Sequence, residues 1–502
     1  MDYIFQPSAF SNWSIIVQFG LLALMLLIGN MIRRRVKFLK NLLFPAAIIA
    51  GFLGLGLRYI LAIQSGGTYI FSLDGGNNPL LTLNFLDNVT YHALAIGFVA
   101  LGLKTVKMAN NKLKGRPAKT GMIIVNTYLL QGVIGVVITI IFALVFVNVV
   151  EPFGGLLLAM GLGQGPAQAG NIGGVFQTDG SFNGARAFGL AIAAIGFLWA
   201  CVGGIIFLNN RGKEGKVLRV KTNTAGEAKP TFNEDANEIP LSDAIDKFTM
   251  QGILVAVVYL VAYLFVLGLT QLIYQISPGV HDTVAGLIWG FNFIFAMLFA
   301  ILFKLLLNLM LKKKIITRKY TNEYMLDRIA GFVFDFMIAA SLMAIDVEVF
   351  INYWQLLITL LVITTAGGFA TFFYLRFMIK RIYPDYEVEA FACLFGNLTG
   401  KASTGIALLR EIDPQFSTPA ADDLVTGSGM AIAFGAPLLL ITALIWQGNR
   451  WGWQLWTSLA IMIAGFVLYQ YLLLRKPRKK IDAPATEQPD VTIEAVNENS
   501  GS

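Results

Sequence analysis

Long apolar runs alternate with short polar breaks along nearly the whole chain. Runs at 15–31, 42–63, 121–149, 250–274, 283–311, 352–375 and 453–474 have few ionisable side chains and suit the roughly 20 residues a helix needs to cross a bilayer. Shorter or more mixed runs at 91–103, 186–208, 329–346 and 428–446 complete the set. The predicted fold class is an all-α integral membrane protein of about 11 transmembrane helices.

Two places depart from this alternation. The apolar run PFGGLLLAMGLG at 152–163 is too short to span and leads into the glycine-rich, polar stretch 163–174; a second short run at 388–396 leads into GNLTGKASTG. Both are read as re-entrant hairpins with polar loops, over 152–185 and 388–427. Broken backbone survives at membrane depth only where protein or a water-filled cavity surrounds it.

Lysine and arginine collect in cytoplasmic loops, so the cations orient each span. Arg33, Arg34, Arg35, Lys37 and Lys40 put the first loop inside, and 64–90, which has no Lys or Arg, lies outside. Continuing in this way sets the N-terminus outside and the C-terminus in the cytoplasm. Residues 1–208 form one predicted repeat, 209–249 a cytoplasmic linker and 250–447 a second repeat. An extra helix at 448–474 and a disordered tail at 475–502 follow. Each half holds five spans with a broken hairpin before the fifth, which inverts the second half relative to the first. Paired helix breaks in inverted halves point to a transporter with its site at the breaks.

Composition narrows the class. Hydrophobic residues make up 56% of the chain and charged residues 14%, well under the roughly 25% of a soluble domain. The net charge of +8 is scattered in loop clusters, which argues for topology and against a nucleic-acid partner. Cys201 and Cys393 sit in apolar segments as small hydrophobes, and neither they nor His92 and His281 form a metal-ligand pattern. No HExxH or GxSxG occurs, and GNLTGK lacks the spacing of a phosphate loop, so no enzyme is expected. A channel or a non-transporting receptor is the other class left open.

At the breaks, Gly163, Gly165, Gly396 and Gly400 allow close backbone approach. Gln164, Gln168, Asn171, Asn397, Thr399, Ser403 and Thr404 offer donors and acceptors to a substrate, or local caps to the hairpins. Helix N-termini there attract anions, and unwound carbonyls and hydroxyls suit sodium. Asp335, inside an apolar segment, is a functional candidate because a charge at that depth is costly. Lys401 needs an anion for the same reason: it either pairs with Asp335 when the site is empty and with a substrate carboxylate when loaded, or snorkels to water at the hairpin mouth. Arg58 and Arg186, nearer segment ends, are read as snorkelling.

In the first half Gly163, Gln164, Gly165, Ala167 and FNGARAFGLAIAAIGF at 182–197 carry a resemblance, and in the second Gly396, Gly400, Thr404, Ile406 and Ala407 do. With FLKNLLFPAAIIAGFL at 38–53, ALAIGFVALGLK at 93–104 and MIAASLMAI at 337–345, the chain resembles the bacterial sodium/glutamate symporter family over most of 15–447. The resemblance implies an elevator-type secondary transporter of the inner membrane, usually a homodimer, that moves glutamate with sodium as its coupling ion. It also implies a mobile domain containing both hairpins and no other cofactor. Gln164 stands where the family has histidine, Lys401 where it has a small residue and Asp335 where it has a small polar one. Another small carboxylate or amino acid, with proton coupling through Asp335, is the alternative cargo reading.

Overall fold

The computed structural model describes residues 10–41, 44–72, 77–104, 115–178, 182–213, 247–316, 318–413, 418–447 and 450–475. Most of the predicted linker and nearly all of the predicted tail lie outside the described residues. The chain is an all-α, multi-pass membrane protein: among the described residues, nine helices are long and apolar enough to cross a bilayer. The sole strands, among those residues, are the two-residue β1 (Gln64–Ser65) and β2 (Thr68–Tyr69), which pair antiparallel.

The first half builds α1 (Phe10–Arg35), α2 (Ala46–Leu61), α3 (Leu83–Leu103) and α4 (Arg116–Val145). α2 is shorter than its predicted run: its 16 residues rise about 24 Å. α3 begins well before its predicted start, where the Thr82 side chain caps the Phe85 amide. Gly115, at φ +102°, and Pro117 open α4, because glycine tolerates that dihedral and proline suits the first helical turn. A 3₁₀ turn (Pro152–Leu156) and a π turn (Ala159–Gln164) then lead to α5 (Pro166–Thr178), followed by α6 (Ala185–Leu198) and α7 (Gly204–Lys213).

The second half has α8 (Lys247–Ile276), α9 (Pro278–Gly290), α10 (Asn292–Lys312), α11 (Glu323–Met343) and α12 (Trp354–Ile382). The predicted run 283–311 is therefore interrupted, at Phe291. A second broken pair follows in α13 (Glu387–Thr399) and α14 (Ala402–Arg410), and then α15 (Ala420–Thr442) and α16 (Trp453–Leu474). The two polar stretches expected as loops are mostly helical. Gly163–Gln164 belong to the π turn, α5 contains Gln168 and Asn171, and α13 contains Gly396, Asn397 and Thr399. Burial against neighbouring helices outweighs the weak helix propensity of glycine there.

The helices pack in two groups. α1, α2, α3, α8, α9, α10 and α11 form a scaffold, while α4, both broken pairs, α6, α7, α12, α15 and α16 form a core. Within the scaffold α3 packs on α11, α2 packs on α11 as α10 packs on α3, and α1 packs on α2 as α8 packs on α10. These contacts in one half thus have counterparts in the other, whereas the packing of α9 on α8 has none among these helices. In the core, Phe207, Phe372, Phe391 and Phe395 interlock α7, α12 and α13, with Phe391 and Phe395 stacked at 5.3 Å. α16 docks on α4, where Asn126 donates to Gln470 at 3.1 Å and to Tyr374 at 2.7 Å.

Arg58 does not snorkel. It is buried in the scaffold, and its guanidinium donates to the Ile345 carbonyl at 2.8 Å.

Candidate functional site

The two helix breaks meet inside the core group. Gly165 ends the π turn at φ +92°, a dihedral that glycine adopts without strain, and a Cβ there would lie 3.6 Å from the Gly400 carbonyl. The opposite break is Gly400–Lys401, between α13 and α14. Gln131 on α4 bridges towards both: its Nε2 donates to the Leu398 carbonyl at 3.0 Å and to Thr371 on α12 at 2.9 Å. Its Oε1 is buried without a partner, 2.6 Å from where a Gly163 Cβ would stand. Tyr128 closes the same side, 2.5 Å from that position. Any side chain at 163 would collide with both, so close backbone approach is a packing requirement there.

Buried polar groups without partners collect around the breaks. Gln168, in the first turn of α5, is 2% exposed, and neither its Nε2 nor its Oε1 has a partner. Thr404, in the first turn of α14, is 1% exposed with an unpartnered hydroxyl. Each such group costs about 1–3 kcal/mol of desolvation. Folding alone gives no reason to keep them, whereas a ligand that supplies the missing partners does.

The remaining predicted residues divide. Thr399 donates to the Phe395 carbonyl at 2.7 Å, so its hydroxyl serves its own helix. Gln164 reaches only Met160 Sδ, at 3.6 Å, and Asn171 donates to the Gly290 carbonyl of the scaffold at 3.5 Å. Gly396 packs on Gly405, where a Cβ would come within 2.7 Å of its Cα, and this holds α13 and α14 together. Asn397 is buried in α13 beside this contact. Ser403 lies on α14, with its side chain outside the described residues.

Lys401 caps α14 with its backbone but gives the helix no side-chain cap. Its ammonium instead stands 3.6 Å from Asp335 Oδ1 on α11, with Phe334 6.0 Å away. The lysine side chain is 16% exposed and the aspartate 60%, so the pair has a covered end and an open end. This is a crossing between core and scaffold. Two others lie nearby in the fold, Asn171 to Gly290 and Arg186 to Asp87, the second an ion pair between α6 and α3. Arg186 is thus held by a carboxylate rather than extended to water.

Sequence reasoning passed over Gln131, Tyr128 and Thr371. An uncharged amide in the apolar run 121–149 was the available signal, but its target 240 positions away was not legible. Among the described residues, no group of three or more His, Cys, Asp or Glu is placed to hold a metal ion. No protein-family model matches the chain, and no curated protein matches it.

Proposed function

We propose that the chain is a secondary active transporter that takes up glutamate with sodium by alternating access. Its substrate sits between the two helix breaks, and the core group moves against the scaffold group. The observation that carries this reading is the meeting of Gly165 with Gly400–Lys401 amid the unpartnered Gln168 and Thr404. In this reading the broken pairs are re-entrant hairpins, the halves are inverted repeats of five spans, and the assembly is a homodimer in the inner membrane with the N-terminus outside. Impermeant thiol labelling of Ser72→Cys from inside sealed cells only, and never from outside, would reverse that orientation.

An amino acid suits the Lys401–Asp335 pair better than a simple anion. At 3.6 Å the pair is looser than a tight charge-assisted hydrogen bond. A zwitterion entering between them gives its carboxylate to Lys401 and the uncapped first turn of α14, and its ammonium to Asp335. Both charges exchange partners and neither is left bare. Gln168 and Thr404 then supply donors and an acceptor for the second carboxylate and the remaining polar edge.

Uptake into proteoliposomes tests the reading. Glutamate should accumulate under an inward sodium gradient and should be favoured over a dicarboxylate of equal length without the amino group. Accumulation undiminished when choline replaces sodium at fixed pH would overturn sodium coupling and leave the proton-coupled alternative. Equal uptake of the deaminated dicarboxylate would overturn the zwitterion assignment, and no uptake of any of these would overturn the transport reading for this substrate class.

A further inference from the structure

The scaffold contains a cavity of about 100 Å³ between α3, α8, α9 and α10. Its walls are aromatic: Tyr91, Tyr259, Tyr263 and Trp289 line it, with Ala262 at one side. Two of the three tyrosine hydroxyls are engaged, Tyr91 donating to the Trp289 carbonyl at 2.8 Å and Tyr259 sharing a hydrogen bond with His92 Nδ1 at 2.8 Å. Asn292 also lines the cavity, at the point where Phe291 interrupts α9 and α10. It is 6% exposed; its side-chain amide hydrogen-bonds the Tyr259 hydroxyl, while its Oδ1 is buried with no partner among the described residues.

An apolar cavity of this order holds a single ring, as an engineered void of about 150 Å³ holds benzene. Water fits poorly, because an ordered buried water needs two to four polar partners and most polar groups here are taken. A cation is disfavoured despite the aromatic walls: among the described residues no Asp or Glu lines the cavity, and an unpaired ammonium in such surroundings costs several kcal/mol. What the lining lacks is one neutral donor.

We propose that this cavity is a binding site for a small neutral aromatic molecule with one O–H or N–H donor, of the size and kind of phenol, whose donor goes to Asn292 Oδ1. The ring packs against Tyr263 and Trp289 in offset or edge-on contact.

The test uses the full chain in lipid nanodiscs, with 4-fluorophenol as probe, fluorine NMR as readout and protein-free nanodiscs as the partition control. The expected result is saturable binding of one probe per chain, about five- to tenfold tighter than 4-fluoroanisole or 4-fluorotoluene, neither of which has a donor. Ala262→Leu fills the cavity and should abolish the saturable component. Asn292→Leu should keep ring binding and remove the preference for the phenol. Signal no greater than in empty nanodiscs, or binding unchanged in Ala262→Leu, overturns the site. Equal affinity for the phenol and the anisole in the unmodified chain overturns the role of Asn292 even where the Asn292 variant does not fold.

Discussion

The Lys401 ammonium on the core lies 3.6 Å from the Asp335 carboxylate on the scaffold, so the ion pair ties together the two packing groups that transport would have to separate. Movement of one group past the other breaks this pair, and its charges then need other partners. Lys401→Met keeps the bulk of the stem and removes the charge. Substrate binding should weaken by about tenfold or more, in keeping with the roughly 1.5–3 kcal/mol of a hydrogen bond to a charged group. Asp335→Asn added to it should cost less than the sum of the single effects, because the orphaned carboxylate is gone. Binding by calorimetry that is unchanged in Lys401→Met, with strictly additive effects in the double variant, would return Lys401 to a structural role.

Gln168 and Thr404 set stability against binding. Their buried, unpartnered polar atoms burden the empty protein, so Gln168→Leu or Thr404→Val should raise the melting temperature of the substrate-free chain, by about 1 kcal/mol of stability each. The same changes should weaken substrate binding and shrink the stabilisation that substrate gives. A melting temperature lowered in both variants, with binding intact, would mean that these groups are satisfied within the fold and do not wait for a ligand.

Much of the architecture is legible in the sequence because membrane spans are a matter of length and apolarity. Each predicted span has a helix at its position, although α2 is shorter and the 283–311 run is divided at Phe291. The glycine-rich stretches were harder to read. Gly173 and Gly189 look like helix breakers, yet a Cβ at Gly173 would press on Ala185 and Arg186, and one at Gly189 on Ala169. These glycines let α5 and α6 approach, which only tertiary packing reveals. The Lys401–Asp335 pairing is one of the two readings the sequence left open for Lys401, while the 60% exposure of Asp335 was not legible from its apolar segment. By contrast, Arg186–Asp87 joins residues 99 positions apart near segment ends, where water was an equally good partner on paper.

The α4 exit carries a pH-sensitive contact. Arg450, just before α16, lies 3.1 Å from Glu151, which precedes the Pro152–Leu156 turn. Burial raises the Glu151 carboxyl above its ordinary value near 4.5, and Arg450 offsets part of that rise. The folded chain therefore holds this proton to higher pH than the unfolded chain does. The associated stability is fully present below about pH 4.5 and fades as pH rises through the raised value. Melting temperatures of the unmodified chain and Glu151→Gln should diverge over that rise, with the variant gaining relative to the unmodified chain. Arg450→Gln should move the divergence to higher pH. Parallel curves for the unmodified chain and Glu151→Gln across this range would show that burial does not govern this carboxyl.

Gly135 on α4 and Gly155 in the Pro152–Leu156 turn pack backbone against backbone. A Cβ on Gly135 would overlap the Gly155 carbonyl, and a Cβ on Gly155 would overlap the Gly135 backbone, so neither helix can yield by turning a side chain. Alanine here forces backbone apart, and overpacking of that kind costs about 1–3 kcal/mol. Thr139 depends on the same approach, since it donates to the Pro152 carbonyl at 2.6 Å and accepts from the Gly155 amide at 3.1 Å. Gly135→Ala should therefore lose these bonds as well as the packing, and its loss should sit at the high end of the range. Gly20→Ala on α1 is the matched control: nothing lies within 4 Å of its Cβ position, and alanine is the better helix former by about 1 kcal/mol. Detergent-solubilised Gly135→Ala should melt well below the unmodified chain, while Gly20→Ala melts at or above it. Equal melting temperatures for the two variants would show that the Pro152–Leu156 turn does not rest on α4 through this pair of glycines.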